Sequence, residues 1–523
     1  MADALAEDGS NPEVYLSTTA LTPEMDVTQA FAQEYLEYYR FLPLRISDDG
    51  VQVAVWGEPN LEAIEDLEHF YGAPAALMPV SEAELQEGIR RAFAAKESVV
   101  ELVKDLGAEG NAPFDGGDEG LADVRDLANQ APVVRFVNLL IREAFDATAS
   151  DIHLEATREG LRVRLRIDGV LSELPAPPRA LQAAVISRVK LMAELDIAER
   201  RAPQDGRIRV RLETRELDLR VSTAPTLYGE SVVLRLLDRG GRPVGLDELG
   251  LAPEPLARFR LLSERAHGIV LATGPTGSGK TTTLYAALGL RNPEGEKVIT
   301  VEDPVEYHLP GVTQVPVHTK GGVRFGAALR SILRQDPDVL MVGEMRDEET
   351  AAIAVQAAMT GHLVFSTLHT NDAVSALTRL IDLKVEPYMV AATVEGVLAQ
   401  RLVRRICSDC REPYRPEAGV LALVSNAPVL AHTDANARAS QTGFLRGRGC
   451  ERCRGTGFLG RIGLFELLVM TDDTRQALLA GPDLGGLRDT AQRQGMTTLM
   501  QDGWLKVQAG ITTVEEVLRV VGT

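Results

Sequence analysis

Gly268-Ile-Val-Leu-Ala-Thr-Gly-Pro-Thr-Gly-Ser-Gly-Lys-Thr281 is the stretch on which the reading of this chain turns. Its first six residues form an apolar run, the pattern of a parallel strand buried on both faces. The next eight, Gly274-Pro275-Thr276-Gly277-Ser278-Gly279-Lys280-Thr281, match G-x-x-x-x-G-K-[ST]. Small residues there let the chain turn so that successive backbone N–H groups point at one anion. Lys280 then reaches the β- and γ-phosphates, and the Thr281 hydroxyl sits on Mg²⁺. Thr281-Thr-Thr-Leu-Tyr-Ala-Ala-Leu288 can continue as a helix whose positive N-terminus faces the phosphates. The alternative, a glycine-rich turn that binds nothing, leaves this strand–loop–helix context unexplained. A nucleoside-triphosphate site is expected.

Three further apolar runs downstream end in polar residues, and in an open parallel sheet these sit at the carboxyl ends of strands, beside the phosphate loop. They are Lys297-Val-Ile-Thr-Val-Glu302-Asp303-Pro-Val-Glu306, Val339-Leu-Met-Val-Gly-Glu344 and Gly361-His362-Leu-Val-Phe-Ser-Thr-Leu-His369. Glu302, Asp303 and Glu306 have the chemistry to hold Mg²⁺ waters or polarise an attacking water. Gly343 stands where a strand-end aspartate is usual, so the metal role falls to Glu344. Single acids in such places are often helix caps. Four acids and two histidines around one phosphate loop point to chemistry instead.

Length and charge bound the rest. A chain of 523 residues is too long for one core, so three or four folded units are expected. Hydrophobic content of 45% and charged content of 25% fit a soluble globular protein. No apolar run approaches the roughly 18 residues of a bilayer span. The start, Met1-Ala-Asp-Ala-Leu-Ala-Glu-Asp8, lacks the basic and apolar regions of a secretory signal. The cytosol is the expected location, with membrane contact made through a partner. Residues 1–130 hold 27 acids against 7 bases and carry the whole net charge of −20. That argues against nucleic acid as the main ligand, which needs a basic face. It suits docking on a basic protein surface, or simply adds solubility.

The four cysteines form two C-x-x-C pairs, Cys407/Cys410 and Cys450/Cys453. That spacing places four thiolates around one Zn²⁺, and a closed set of four leaves no position for catalysis. A redox dithiol would use only one pair.

Along the chain, residues 1–24 read as a polar acidic arm. Residues 25–104 read as a compact α/β unit: a helix at Thr28–Tyr39, strands at Leu42–Ile46 and Val51–Trp56, and helices at Leu61–Tyr71 and Ser81–Phe93. A glycine-rich acidic linker covers 105–130. Residues 131–240 read as an α+β unit opening on an amphipathic helix, Pro132–Phe145, and continuing in alternating strands such as Leu161–Ile167. From 241 to 523, strands alternate with helices, which predicts a parallel sheet covered on both faces. Asp151, His153 and Glu155 share one strand face, where a structural role is expected rather than a metal site.

Four segments together resemble a known family. Gly274–Thr281, Ile299-Thr-Val-Glu-Asp-Pro-Val-Glu-Tyr307, Val342-Gly-Glu-Met-Arg-Asp347 and Thr360-Gly-His-Leu-Val-Phe-Ser-Thr-Leu-His369 look like the Walker A, Asp box, Walker B and His box of the secretion and pilus-assembly ATPases. The resemblance covers roughly residues 131–523. It implies an α/β fold with a RecA-like P-loop ATPase domain at 241–523, including a zinc subdomain at 402–465 and C-terminal helices at 466–523. A PAS-like α+β domain at 131–240 and an N-terminal docking domain at 25–104 would precede it. ATP, Mg²⁺ and Zn²⁺ are the implied cofactors. Glu306 would be the water-activating base and Glu344 the Mg²⁺-linked acid, with His362 and His369 coupling the γ-phosphate to subunit movement. Arg207 and Arg220 are candidate arginine fingers, or else pair with acids on a charged strand face.

Members of that family are cytoplasmic homohexamers that drive polymerisation of a pilin-like filament. The implied partners are a GspL-like membrane-anchored assembly protein, met through the N-terminal domain, and a GspF-like inner-membrane platform protein. Asp196–Arg207, Asp218–Ser222, Gly229–Leu237 and the tetracysteine insertion resemble the type II secretion branch (GspE-like), which assembles a pseudopilus and exports folded proteins. Pilus-extension (PilB-like) relatives carry both features in similar form. Some relatives bind a cyclic dinucleotide through an R-L-G-led motif; without that motif here, the ligand is not expected. Two other classes stay open. A nucleic-acid translocase would want a basic channel, against a neutral 131–523 segment. A nucleotide switch would bind ATP without turnover.

Overall fold

The structure, a computed structural model, describes residues 31, 33–47, 50–57, 59–94, 99, 102–103, 128–212, 215–238, 244–291, 294–317, 324–417, 419–420, 444–481 and 483–522. The acidic arm, most of the linker and the loop between the cysteine pairs lie outside the described residues. The chain divides into two compact units, Met1–Pro113 and Phe114–Thr523. Among the described residues no helix is long and apolar enough to cross a membrane.

In the first unit, helix α1 (Gln33–Tyr39) precedes strands β1 (Phe41–Ser47) and β2 (Gly50–Val55). Helix α2 (Leu61–Tyr71), strand β3 (Ala75–Pro79) and helix α3 (Glu82–Ala94) follow. β1 and β2 pair antiparallel, and β3 joins β2 in parallel. The helices bury Leu36, Leu67 and Ile89 against Phe41, Val51 and Val53 of the sheet. Asn60 caps α2 by accepting from the Ala63 N–H at 3.0 Å, and Gly72 closes it with φ 64°. β3 is the strand the sequence does not announce. Ala-Ala-Leu-Met-Pro has no β-branched residue, and its place comes from β2 alongside it.

The second unit holds two large sheets. One is antiparallel, in the order β6-β5-β4-β9-β8-β7. Its strands are β4 (Asp151–Ala156), β5 (Leu161–Ile167), β6 (Val170–Leu174), β7 (Gln204–Leu212), β8 (Arg215–Thr226) and β9 (Gly229–Asp238), packed by helices α4 (Ala131–Asp146) and α5 (Gln182–Met192). Along β5, Leu161, Val163 and Leu165 are buried while the intervening arginines point away, as a half-buried strand requires. Asp151 is held by Arg235 at 2.9 Å and Arg166 at 3.7 Å, and Glu155 by Arg164, so this face is ion-paired.

The other sheet runs β12-β11-β13-β14-β10-β15-β18. Its strands are β10 (Gly268–Thr273), β11 (Val298–Glu302), β12 (Thr313–Pro316), β13 (Val339–Val342), β14 (Leu363–Leu368), β15 (Val394–Ile406) and β18 (Phe458–Val469). All are parallel to their neighbours except β18, which pairs antiparallel with β15. Helices α6 (Pro253–Ser263) and α7 (Lys280–Leu288) cover one face. Helices α8 (Phe325–Ile332), α9 (Glu348–Met359), α10 (Ala373–Asp382) and α11 (Pro387–Thr393) cover the other. This explains the continuous apolar run in β10. Ile269 and Leu271 enter one core while Val270 and Ala272 enter the other. A small hairpin, β16 (Arg411–Tyr414) with β17 (Phe444–Gly447), and helices α12 (Asp472–Ala480), α13 (Leu484–Arg493), α14 (Leu499–Gln508) and α15 (Val514–Val521) complete the unit.

Candidate nucleotide and metal sites

The loop after β10 has the backbone its sequence calls for. Gly274, Gly277 and Gly279 take φ of 150°, 78° and 88°, and α7 starts at Lys280 with its first N–H groups facing the loop. Pro275, Thr276 and Gly277 are exposed at the tip, while Ser278 is buried. The Lys280 ammonium donates to the carbonyls of Gly274 at 2.7 Å and Pro275 at 3.1 Å. Among the described residues no carboxylate lies within ion-pair distance of it. Burial lowers its pKa to about 8; Glu344 opposes that shift and Arg401 adds to it. A buried ammonium without a carboxylate partner, at the N-terminus of a helix, suits a polyanion.

Two of the predicted strand-end residues, Glu344 and His369, lie beside it. Glu344 follows β13, with Arg346 Nε at 2.6 Å and His369 Nε2 at 3.5 Å from its carboxylate. Burial lowers the His369 pKa, and so does nearby Lys280, so the ring is held neutral. The turn carrying Glu344 is pinned by Ser366 and Thr367, which donate to the Val342 and Gly343 carbonyls at 2.7 Å each. A Cβ on Gly343 would lie 3.2 Å from the Val301 carbonyl, which is why the usual aspartate has little room here. Glu306 and Asp303 are exposed on the loop after β11.

Two expectations change. Glu302 does not face the phosphates. It is 2% exposed, accepting from Tyr285, from Thr300 at 2.6 Å and from Gln314 at 3.2 Å, which occupies both its oxygens inside the core. His362 lies at the wrong end of its strand. Leu363 pairs with Gly268 and Leu368 with Thr273, so His362 opens β14 at the edge opposite the phosphate loop, about 23 Å from His369 at ~3.3 Å per residue. Its Nδ1 instead meets the Ala357 carbonyl at 2.9 Å.

Arg207 and Arg220 face one another across β7 and β8, and Arg235 continues the row on β9. Among the described residues neither Arg207 nor Arg220 has a carboxylate within ion-pair distance. Burial lowers the Arg220 pKa, and the field of Glu306 is the largest influence raising it, so this arginine lies close to the Asp-box loop.

The structure also brings in residues that the sequence reading passed over. Gln400, on β15 beside the phosphate loop, is 2% exposed and donates to the Ser278 carbonyl at 2.7 Å. A Cβ on Gly274 would stand 2.5 Å from the Gln400 carbonyl. Arg401 donates to that carbonyl and to Asn371. The signal was available: a Gln-Arg pair inside an apolar strand needs polar partners. Tyr285 and Gln314 carried no such signal.

The cysteines converge where β15 and β18 pair, Ile406 opposite Phe458. Sulfur separations are 3.8 Å for Cys407–Cys450, 3.8 Å for Cys410–Cys453 and 3.6 Å for Cys450–Cys453, and all four lie within 4.8 Å of one another. A tetrahedral ion with Zn–S bonds of about 2.3 Å sets its ligands about 3.8 Å apart, whereas a disulfide needs about 2 Å. N–H groups of Gly449, Cys450 and Gly457 point at the sulfurs at 3.1–3.3 Å. The four thiols fit a closed tetrahedral metal site.

The sequence and the fold are matched in known proteins. The family model for Type II/IV secretion system protein covers residues 126–519, and that for the MshEN domain covers residues 14–99. Type II secretion system protein E of Xanthomonas campestris pv. campestris is 44% identical over 501 residues, 95% of this chain and 86% of its own. The type IV pilus assembly ATPase PilB of Myxococcus xanthus is 40% identical over 523 residues, 99% of this chain and 90% of its own. Among solved structures, the pilus retraction motor PilT with bound ADP aligns at 26% identity and TM-score 0.50, over 73% of this chain and 95% of its own. The mixed α/β layers are those of a RecA-like ATPase with accessory domains. The chain belongs to the type II/IV secretion system protein family, that of the secretion and pilus-assembly ATPases.

Proposed function

We propose that this chain is a motor that couples ATP hydrolysis to assembly of a type II secretion pseudopilus, and so to export of folded proteins. One observation carries the reading: a phosphate loop whose buried Lys280 lies beside Glu344 and His369 on neighbouring parallel strands, in a chain of this family. The N-terminus of α7 and Lys280 hold the triphosphate. Thr281 and Glu344 would hold Mg²⁺, which supplies Lewis acidity at the phosphoryl oxygens. Glu306 takes the proton of a water attacking in line. Arg220 and Arg207 close over the equatorial oxygens, where an arginine finger is worth about 10³–10⁵ in rate. His369, through Glu344, reports whether the γ-phosphate is present. Asp303 stays beside the metal waters, and Glu302 supports from the core.

The working form is a homohexamer in the cytoplasm, attached to the inner membrane through a GspL-like protein on the docking domain and a GspF-like platform protein. Cys407, Cys410, Cys450 and Cys453 hold a structural Zn²⁺ that braces the subdomain facing those partners. A second reading, extension of a type IV pilus, is favoured by the MshEN-domain match and the PilB relative.

Lys280→Ala and Glu344→Gln test the proposal. The first is expected to lose nucleotide binding and about 10²–10³-fold in turnover, and the second to bind nucleotide while losing turnover on the same scale. In the cell, either variant is expected to stop secretion and leave pilus extension intact. The opposite phenotype selects the pilus reading, and wild-type turnover in Lys280→Ala overturns both.

A further inference from the structure

Beneath the loop that carries Glu306 lies a buried polar network of which the reaction scheme uses only Glu302. Its hub is Tyr285, five residues after Lys280 on α7 and 1% exposed. The Tyr285 hydroxyl donates to Glu302 Oε2. Gln314, on β12, donates to the Tyr285 hydroxyl at 3.3 Å, to Glu302 Oε1 at 3.2 Å and to the Tyr307 carbonyl at 3.1 Å. Its own carbonyl accepts from the Leu309 N–H at 2.8 Å. Thr300 completes Glu302, and the Tyr285 and Tyr307 rings meet edge to face at 4.6 Å.

Such a network is costly to bury unless every member is satisfied, and here it links the phosphate-loop helix to the 303–312 loop through β11 and β12. The Glu306 side chain is exposed, so packing does not fix it. We infer that Tyr285 is a positioning residue for Glu306: through Gln314, which grips the Tyr307 carbonyl and the Leu309 N–H, its hydroxyl ties the turn beside Glu306 to the helix that begins at the phosphate loop. The distance from base to γ-phosphate is thereby set by one rigid turn of helix. A base must come within hydrogen-bond reach of the attacking water, and a displacement of about 1 Å costs up to ~100-fold. The inference rests on the proposed role of Glu306 as the base.

Steady-state ATPase of the full chain tests it in Tyr285→Phe, Gln314→Leu, Glu306→Gln and the Tyr285→Phe/Glu306→Gln double variant. Tyr285→Phe is expected to lower kcat by about 10- to 100-fold while nucleotide affinity stays within about twofold of wild type. In the Glu306→Gln background the same change should cost nothing further, because the group it positions is gone. Losses that multiply in the double variant would make Tyr285 a general structural residue and overturn the clamp. So would a wild-type kcat in Tyr285→Phe beside an inactive Glu306→Gln. A wild-type kcat in Glu306→Gln overturns the base itself, and the clamp with it. Should Tyr285→Phe not fold, Gln314→Leu carries the same comparison.

Discussion

The phosphate loop and the cysteine knuckle are both rich in glycine, and they need it for different reasons. At Gly277 a Cβ would meet nothing within 4 Å, so its φ of 78° is what excludes other residues. At Gly447 the limit is space: a Cβ would stand 1.9 Å from the Gly457 carbonyl oxygen. One loop uses glycine to aim backbone N–H groups at a ligand. The other uses it to let two backbones touch, so that four thiols converge. Gly277 thus tolerates volume and not strain, whereas Gly447, like Gly274 against the Gln400 carbonyl, has no space for a side chain.

Paired substitutions can break that contrast. Gly447→Ala should force the two strands of the knuckle apart, at a cost of about 3 kcal/mol, or roughly 3–4 °C of melting temperature for a unit of this size, and metal content should fall with it. Gly277→Ala should cost only about 1–2 kcal/mol of left-handed strain, felt as weaker nucleotide binding with the metal retained. Calorimetry with metal analysis on both variants decides the matter. Equal melting temperatures would show that space at Gly447 is not limiting.

A second contrast lies within one strand. His369 sits beside Glu344 and Lys280, and His362 at the far edge against the Ala357 carbonyl. His369→Ala is expected to lower kcat by about 10- to 100-fold, and His362→Ala by less than about twofold. An equal loss in both would mean that His362 serves a site outside its own subunit.

How much was legible follows from how local each feature is. The phosphate loop, Glu344 and the cysteine pairs are contiguous patterns whose chemistry dictates their spacing, and the sequence displays them directly. The seven-residue gap between His362 and His369 also held its answer, since seven residues of strand separate the two edges of a sheet. Glu302 was different. Strands buried on both faces show no alternation, so nothing in Val-Ile-Thr-Val-Glu tells which way the last side chain turns. Tyr285 on a helix and Gln314 on an edge strand decide it, and both belong to other elements. β3 failed for the same reason, since its residues carry little strand preference and β2 supplies the template.

The smallest effect separates the two regions by the sign of their response to pH. Lys280 titrates at about 8 in the free protein because burial disfavours its charge. A triphosphate binds the charged form, so bound nucleotide pulls that pKa back up. Below about pH 7.5 the lysine is already protonated and affinity is flat. Above 8 each binding event must take up a proton, and affinity should fall by about tenfold per pH unit until the bound-state pKa is reached. At pH 9 the KM for ATP is therefore expected to be up to about tenfold higher, with buffer-dependent binding heats that report proton uptake. The knuckle should respond in the opposite sense, because thiols lose protons to hold a metal and grip it harder as pH rises. A KM for ATP that stays flat from pH 7 to 10 would show that the ammonium is better solvated than its burial implies, and that neighbouring N–H groups alone hold the phosphates.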